Sequence, residues 1–249
     1  MKLTYFDSNS WLIEIDNQRI LLDPWLVGEL TFGNLTWLFR GKKNNPQPIP
    51  ENIDLILLSQ GLEDHAHPPT LKKLDKQIPV VASPNGAKVA KDLGFNSVTP
   101  IDHHQNYQLG TVEILAVPGS PIGPTLVENG YIIKGQESQQ NIYYEPHGYH
   151  DASLDETLAI DAIVTPLVNL KLPLVGAVIK GQETAVEICK RLKPKAIIST
   201  AAGGDIDFQG LIISILKADG TVEQFRQLLQ QNNLATRAIN PQSGVTIEL

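Results

Sequence analysis

An aspartate and a histidine, Asp64 and His65, stand side by side shortly after the apolar run Leu55-Ile56-Leu57-Leu58. Such a run reads as a buried strand, and the turn that follows a strand presents side chains at a sheet edge. A carboxylate and an imidazole placed there are donor types that hold a divalent cation. The same pair can instead hydrogen-bond to each other and close a strand-to-helix turn, with Asp64 near an amide-rich helix start. Other polar groups are less specific. His67, just before Pro68-Pro69, reads as a first-turn surface residue, and His103-His104 as part of a solvated loop. Gly203-Gly204 follows an apolar segment and permits either a tight turn or close approach of backbone to a small ligand.

Strands and helices must position these groups. Segments 3–6, 11–15 and 19–22 read as an antiparallel meander, with Asp16-Asn17 as a hairpin turn. Residues 28–50 have no sustained period and read as a functional flap or a substrate-side insertion. A strand at 55–58 leads into a helix entered through Pro68-Pro69. A short strand at 79–82 then precedes a helix capped by Ser83-Pro84 and stopped at Gly94. Strands at 97–101, 112–117, 130–133 and 141–144 restart a β-rich stretch. Ser153 and Glu156 have capping-box spacing before a short helix. A strand at 162–165, a helix over about 182–192 and a strand at 196–199 follow. Thr221 and Gln224 have the spacing of a second capping box, while 211–216 is apolar throughout and fits helix or strand equally.

The chain has 249 residues, 42% hydrophobic and 19% charged, a composition typical of globular proteins and unlike disordered or collagen-like chains. That length suits one large domain, expected to span 1–249. A net charge of -7 without any run of basic residues opposes nucleic-acid binding. The single Cys189 falls on the apolar side of its helix and reads as a buried, inert thiol. No stretch reaches the roughly 18 apolar residues of a spanning helix, so a cytoplasmic protein without a membrane partner is expected. The sequence leaves the oligomeric state open.

The segment from Asp54 to His65 resembles the signature of the metallo-β-lactamase superfamily, an apolar strand followed by His-x-His-x-Asp-His. Matched residue by residue, Gln60 and Leu62 take the places of the first two histidines, while Asp64 and His65 keep the last two. The likeness continues at four further points. Ile20-Leu-Leu-Asp-Pro-Trp25 resembles a strand and turn near the metal cleft of the branch that includes sugar-phosphate lactonases. After Pro118, Pro121 stands where the family places a histidine. In Ile142-Tyr-Tyr-Glu-Pro-His147, His147 takes the place of a bridging aspartate. Ala201 stands where a strand would end in a histidine.

The resemblance implies an α/β fold, a four-layer αββα sandwich of two mixed β-sheets flanked by helices, and a metal-dependent hydrolase as the ancestral activity. It also implies an altered metal centre, since the first metal position loses its histidines and a neutral imidazole at 147 does not bridge two cations. One divalent cation, zinc, manganese or iron, would then rest on Asp64, His65 and His147, with His67, Glu145 or His150 near enough in sequence to assist. An open coordination position would hold a water acidified towards about pH 7 as nucleophile, with a carboxylate such as Asp64 taking the proton, for an ester, lactone or phosphoester substrate. The alternative is a metal-free module that binds a small molecule or protein partner through Asp23, Gln60, Gly203 and Gly204.

Overall fold

Side chains of strand Leu55–Leu58 point alternately to two apolar surroundings, and that alternation sets the architecture. Leu55 and Leu57 join Leu3, Trp11, Ile13 and Ile20 in one cluster with Ile114, Tyr131, Tyr144 and Ile198. Ile56 and Leu58 join Leu12, Leu21, Leu71, Ala87 and Ala90 in another. The first cluster fills the space between two sheets, and the second lies between one sheet and its helices. A third packs Ile132, Tyr143, Ile163 and Ile197 against Ala185, Ile188, Cys189, Phe225 and Leu229. The result is helices, sheet, sheet, helices. The computed structural model describes residues 1–123, 125–173, 176–201 and 203–249 of the chain.

Each main sheet has seven strands. The first orders Thr246–Glu248, Lys2–Tyr5, Trp11–Ile15, Gln18–Leu22, Leu55–Leu58, Val80–Ala82 and Val98–Pro100. Its N-terminal part is an antiparallel meander, and pairing is parallel from Gln18–Leu22 onward. The second sheet orders Arg237–Ile239, Ala196–Ser199, Ala162–Thr165, Asn141–Tyr144, Leu126–Gly135, Val112–Ile122 and Asn106–Leu109. It too is half parallel and half antiparallel. Both sheets are mixed, as expected. Asp16 and Asn17 make the predicted hairpin turn with φ of 47° and 59°, the left-handed pair a two-residue turn requires.

Two segments left open by the sequence are resolved, and two expectations change. The 28–50 segment contains two short strands, Leu30–Thr31 and Arg40–Lys43, which form a small sheet with Ile206–Gln209. It lacked a readable period because most of it is loop, and its strands rely on a partner distant in sequence. The apolar 211–216 segment forms helix Leu211–Ile215. The short element after Ser153 is a 3₁₀ turn, Glu156–Leu158, capped by Asp155 rather than Ser153. Ser153 instead donates to Asp151. His67 is buried at 1% exposure, because its ring is the N-cap of helix Pro68–Lys73: Nδ1 accepts from the Thr70 N–H. By contrast, Thr221 caps Val222–Gln231 as its spacing predicts.

Candidate metal centre

The parallel strands Leu55–Leu58 and Asn141–Tyr144 belong to different sheets and are each followed by a loop that carries site residues. Ser59 to His65 follows the first, and Glu145 to Tyr149 the second. The two loops meet because Asn129, on strand Leu126–Gly135, donates its N–H to the Ser59 carbonyl at 3.1 Å. The Tyr131 hydroxyl on the same strand donates to the Leu58 carbonyl at 2.7 Å. Asp64, His65 and His147 are thereby drawn together, each offering a ligand atom within 4.8 Å of the others. The two imidazole rings lie 5.1 Å apart, centroid to centroid.

Each imidazole is held from behind by a buried carboxylate. His65 Nδ1 donates to Asp23 Oδ2 at 2.7 Å, and His147 Nδ1 donates to Glu128 Oε1 at 2.6 Å. Asp23 and Glu128 are both 0% exposed. A carboxylate accepts but does not donate when ionised, so each contact fixes the ring in one orientation and leaves Nε2 as its forward nitrogen. Such carboxylate–histidine pairs are what orients metal-binding imidazoles. Asp23 is itself anchored by the Ser59 N–H at 2.7 Å, the Ser59 hydroxyl at 2.5 Å and the Tyr144 hydroxyl at 2.7 Å.

The charges of the site are strongly interdependent. Burial disfavours a charged His65, but Asp64 and Asp23 outweigh it and hold the imidazole's pKa well above its ordinary value. Burial would raise the Asp64 carboxyl, and His65 followed by His147 brings it below the usual range instead. His147 is raised in the same way, with Glu128 overcoming burial. Glu145 goes the other way, pushed up by burial and then by the neighbouring Glu128. Its carboxyl accepts the N–H groups of His147, Gly148 and Tyr149, which shapes the turn that carries His147.

The donor set suits a first-row divalent cation, with two imidazole nitrogens and a carboxylate oxygen. Two buried oxygens point the same way: Asp64 Oδ1 and Gln60 Oε1 have no hydrogen-bond partner among the described residues. Buried polar atoms are nearly always paired, so an unpaired carboxylate oxygen in the group of Asp64, His65 and His147 suits an electrophile, while the Gln60 amide shares the Glu128 carboxylate with His147. The residues fit a cation.

The other expected site residues are distributed differently. Glu145 joins Glu128 and His147 in a second compact donor group. His67 faces Thr70 and the Glu29 carbonyl, away from the two imidazoles. His150 Nδ1 meets the Tyr143 hydroxyl at 3.3 Å, and His150 lines a 320 Å³ cleft beside Gly119, Gly148, Lys180 and Arg191. Asp23, expected to meet a ligand, is instead sealed behind His65 because its oxygens are consumed by internal donors. Gly203 and Gly204 line a 550 Å³ cleft with Val168, Ser199 and Asn240, a lining that includes none of Asp64, His65 and His147. Gly204 has φ of 119°, and a Cβ there would sit 2.5 Å from that of Asp7, so the tight-turn reading of this pair accounts for its glycine.

Three residues escaped sequence reasoning: Glu128, Asn9 and Ser59. Glu128 had a signal, a lone acid in a strand segment otherwise apolar toward its end, Leu126-Val-Glu128-Asn-Gly-Tyr131. Asn9 Nδ2 lies 3.3 Å from His65 Nε2. It sits in a tight turn after two residues of positive φ, Asp7 and Ser8, and neither its type nor its position in the sequence marks it.

The comparisons with known proteins agree with this fold. A family model described as a beta-lactamase superfamily domain matches residues 2–201. The curated proteins give no match. Among solved structures, an isothiocyanate hydrolase from Delia radicum gut bacteria superposes with a TM-score of 0.69 at 15% identity, covering 100% of this chain and 99% of its own. A possible metal-dependent hydrolase from Veillonella parvula gives a TM-score of 0.71 at 15% identity, with 100% and 99% covered. A metallo hydrolase from the hyperthermophilic archaeon Ignicoccus hospitalis gives 0.67 at 17% identity, with 100% and 98% covered. Identities this low speak for the fold alone.

Proposed function

The chain belongs to the beta-lactamase superfamily, and from that premise we propose that it is a metal-dependent hydrolase whose centre has been reduced to a single cation held by Asp64, His65 and His147. The observation that carries this reading is the pair of buried carboxylates, Asp23 and Glu128, each fixing the Nδ1 of one imidazole in the group that His65 and His147 form with Asp64. A purely structural Asp64–His65 contact would need no such second dyad. The alternative use of these residues, closing the turn after the strand, accounts for His65 but leaves the Glu128–His147 pair without a role.

A divalent cation in this place, zinc, manganese or iron, would polarise a carbonyl or phosphoryl oxygen and acidify water. The chain's own residues do the rest. His65 and His147 bind, with Asp23 and Glu128 setting their tautomers. Asp64 would offer one carboxylate oxygen to the cation and keep the other as acceptor for a proton from an attacking water. Asn9 stands against His65 Nε2 and limits how far that ring can swing. The 320 Å³ cleft lined by Gly148, Tyr149 and His150 includes none of the three ligands in its lining but begins at the residue after His147, and it is the proposed place for a small ester, lactone or phosphoester.

The test is metal content. Protein stripped by chelator, then dialysed against zinc, manganese or iron(II), is expected to retain roughly one ion per chain by elemental mass spectrometry. His65→Ala and His147→Ala are expected to hold none. Retention by the two variants equal to the parent's would overturn the reading, and an ion count near zero in all three would leave a metal-free binding module, for which a substrate screen is replaced by a ligand screen.

A further inference from the structure

We propose that Gln60 supplies its amide oxygen as a further ligand to the cation, and that Glu128 is the positioning residue that aims both Gln60 and His147. This rests on the reading that Asp64, His65 and His147 hold an ion.

Gln60 follows strand Leu55–Leu58 by way of Ser59 and is only 2% exposed. Its Nε2 donates to Glu128 Oε2 at 2.9 Å. Its Oε1 is buried without a partner. Reversing the amide does not relieve that vacancy, because it would bring the carbonyl oxygen against the Glu128 carboxylate, an acceptor facing an acceptor. The orientation is therefore dictated by Glu128, and the unpaired oxygen is a consequence of it. Leaving a buried carbonyl oxygen without a donor is unfavourable. A cation coordinated there removes the penalty, and amide oxygens are accepted by the harder divalent ions such as manganese.

Glu128 divides its two oxygens between the two groups. Oε1 takes His147 Nδ1 at 2.6 Å and the Ser120 N–H at 3.1 Å, while Oε2 takes the Gln60 amide. One fully buried carboxylate thus sets the direction of an imidazole from one sheet's loop and an amide from the other's. The backbone around Gln60 is equally constrained. A Cβ on Gly61 would lie 2.8 Å from the Asn85 carbonyl oxygen, and one on Gly86 would lie 3.2 Å from the Gln60 carbonyl. The loop is pressed against the start of helix Pro84–Asp92, so Gln60 has little freedom to turn elsewhere. A glutamine in this place substitutes an oxygen donor for a nitrogen donor, and it shifts the centre's preference from zinc towards manganese or iron(II).

The experiment measures Mn²⁺ and Zn²⁺ affinities of the stripped full chain by competition with a chromophoric chelator, with Mn²⁺ electron paramagnetic resonance as a second readout. The variants are Gln60→Leu, Gln60→Asn, Glu128→Gln and His65→Ala. Gln60→Leu is expected to weaken Mn²⁺ binding tenfold or more, to weaken Zn²⁺ binding less, and to leave the melting temperature of the metal-free protein equal or higher. Gln60→Asn, which keeps an amide but withdraws the carbonyl by one methylene, is expected to lose Mn²⁺ affinity likewise and serves if the leucine variant does not fold. Glu128→Gln is expected to weaken both ions by about 10- to 100-fold. Unchanged Mn²⁺ affinity in both Gln60 variants, with His65→Ala devoid of metal, overturns the role of Gln60 while the cation site stands. Unchanged affinity in His65→Ala overturns the site itself and this inference with it.

Discussion

At the scale of single residues, Asp23 governs more of the centre than any group that would touch a cation. It is completely buried, with φ of 42°, and accepts from Ser59 twice, from His65 and from Tyr144. The left-handed backbone at Asp23 turns the chain back after strand Gln18–Leu22 and points the carboxylate between the sheets. Asp23→Asn keeps the size and most contacts but puts a donor or a weaker acceptor against His65 Nδ1. Metal affinity should fall by about 10- to 100-fold, read by chelator competition, with a near-parental circular dichroism spectrum. Asp23→Ala leaves His65 buried without its counter-charge and should cost roughly 3–5 kcal/mol by urea denaturation. An alanine variant as stable as the parent would show that Asp23 is dispensable to the fold.

At the scale of elements, the turn from Glu145 to Tyr149 carries His147, and its conformation depends on one glycine. Gly148 has φ of 79°, and a Cβ there would come 1.7 Å from the Lys180 carbonyl oxygen, a backbone collision that no rotamer change relieves. The same stretch is tied down by the Lys180 N–H donating to the His147 carbonyl at 2.8 Å. Gly148→Ala must therefore push the turn away from residue 180 and carry His147 with it. The expected cost is roughly 1–3 kcal/mol in stability, with a loss of metal affinity larger than that of a surface control such as Lys88→Ala. If both quantities stay at parental values, the turn is softer than its contacts imply. The short sheet of Leu30–Thr31, Arg40–Lys43 and Ile206–Gln209 plays a comparable part on the other side. Its strand Arg40–Lys43 brings Lys43 into a buried ion pair with Asp7 at 3.1 Å, beneath the turn that holds Asn9.

At the scale of the whole molecule, stability should depend on pH through a histidine outside the proposed ligands. Burial, reinforced by Arg191, pushes His150 down to about 3. The unfolded chain has an ordinary imidazole titrating near pH 6.5. Below that value the unfolded state takes up a proton that the folded state refuses, so stability falls as pH drops from about 6.5 towards 3. His150→Phe removes the uptake, and its denaturation midpoint should decline less steeply over that window than the parent's. Identical slopes would mean that His150 takes up its proton in the folded chain as readily as in the unfolded one. Loading with zinc or manganese should raise the melting temperature, because the ion binds only the folded chain, and should leave that of His147→Ala unchanged. No helix among the described residues is long and apolar enough to cross a membrane.

Local patterns in the chain already determine the alternation that makes Leu55–Leu58 a strand buried on both faces, the Asp16-Asn17 turn, the Thr221 cap and the amphipathic helix Gln182–Leu192. Each of these depends on neighbours close in sequence, or on a period that a strand or helix imposes. Asp64, His65 and His147 were legible as candidates because the first two follow a readable strand and the third stands where the family pattern has an aspartate. Tertiary structure alone decided what stands behind them. Glu128 reaches His147 and Gln60 only because strand Leu126–Gly135 pairs with Asn141–Tyr144 and bonds across to Ser59. Asp23 meets His65 across 42 residues of chain. Hydrogen-bonding partners that close over such separations follow no sequence period, so the groups that orient the site became visible only when the two sheets were packed face to face.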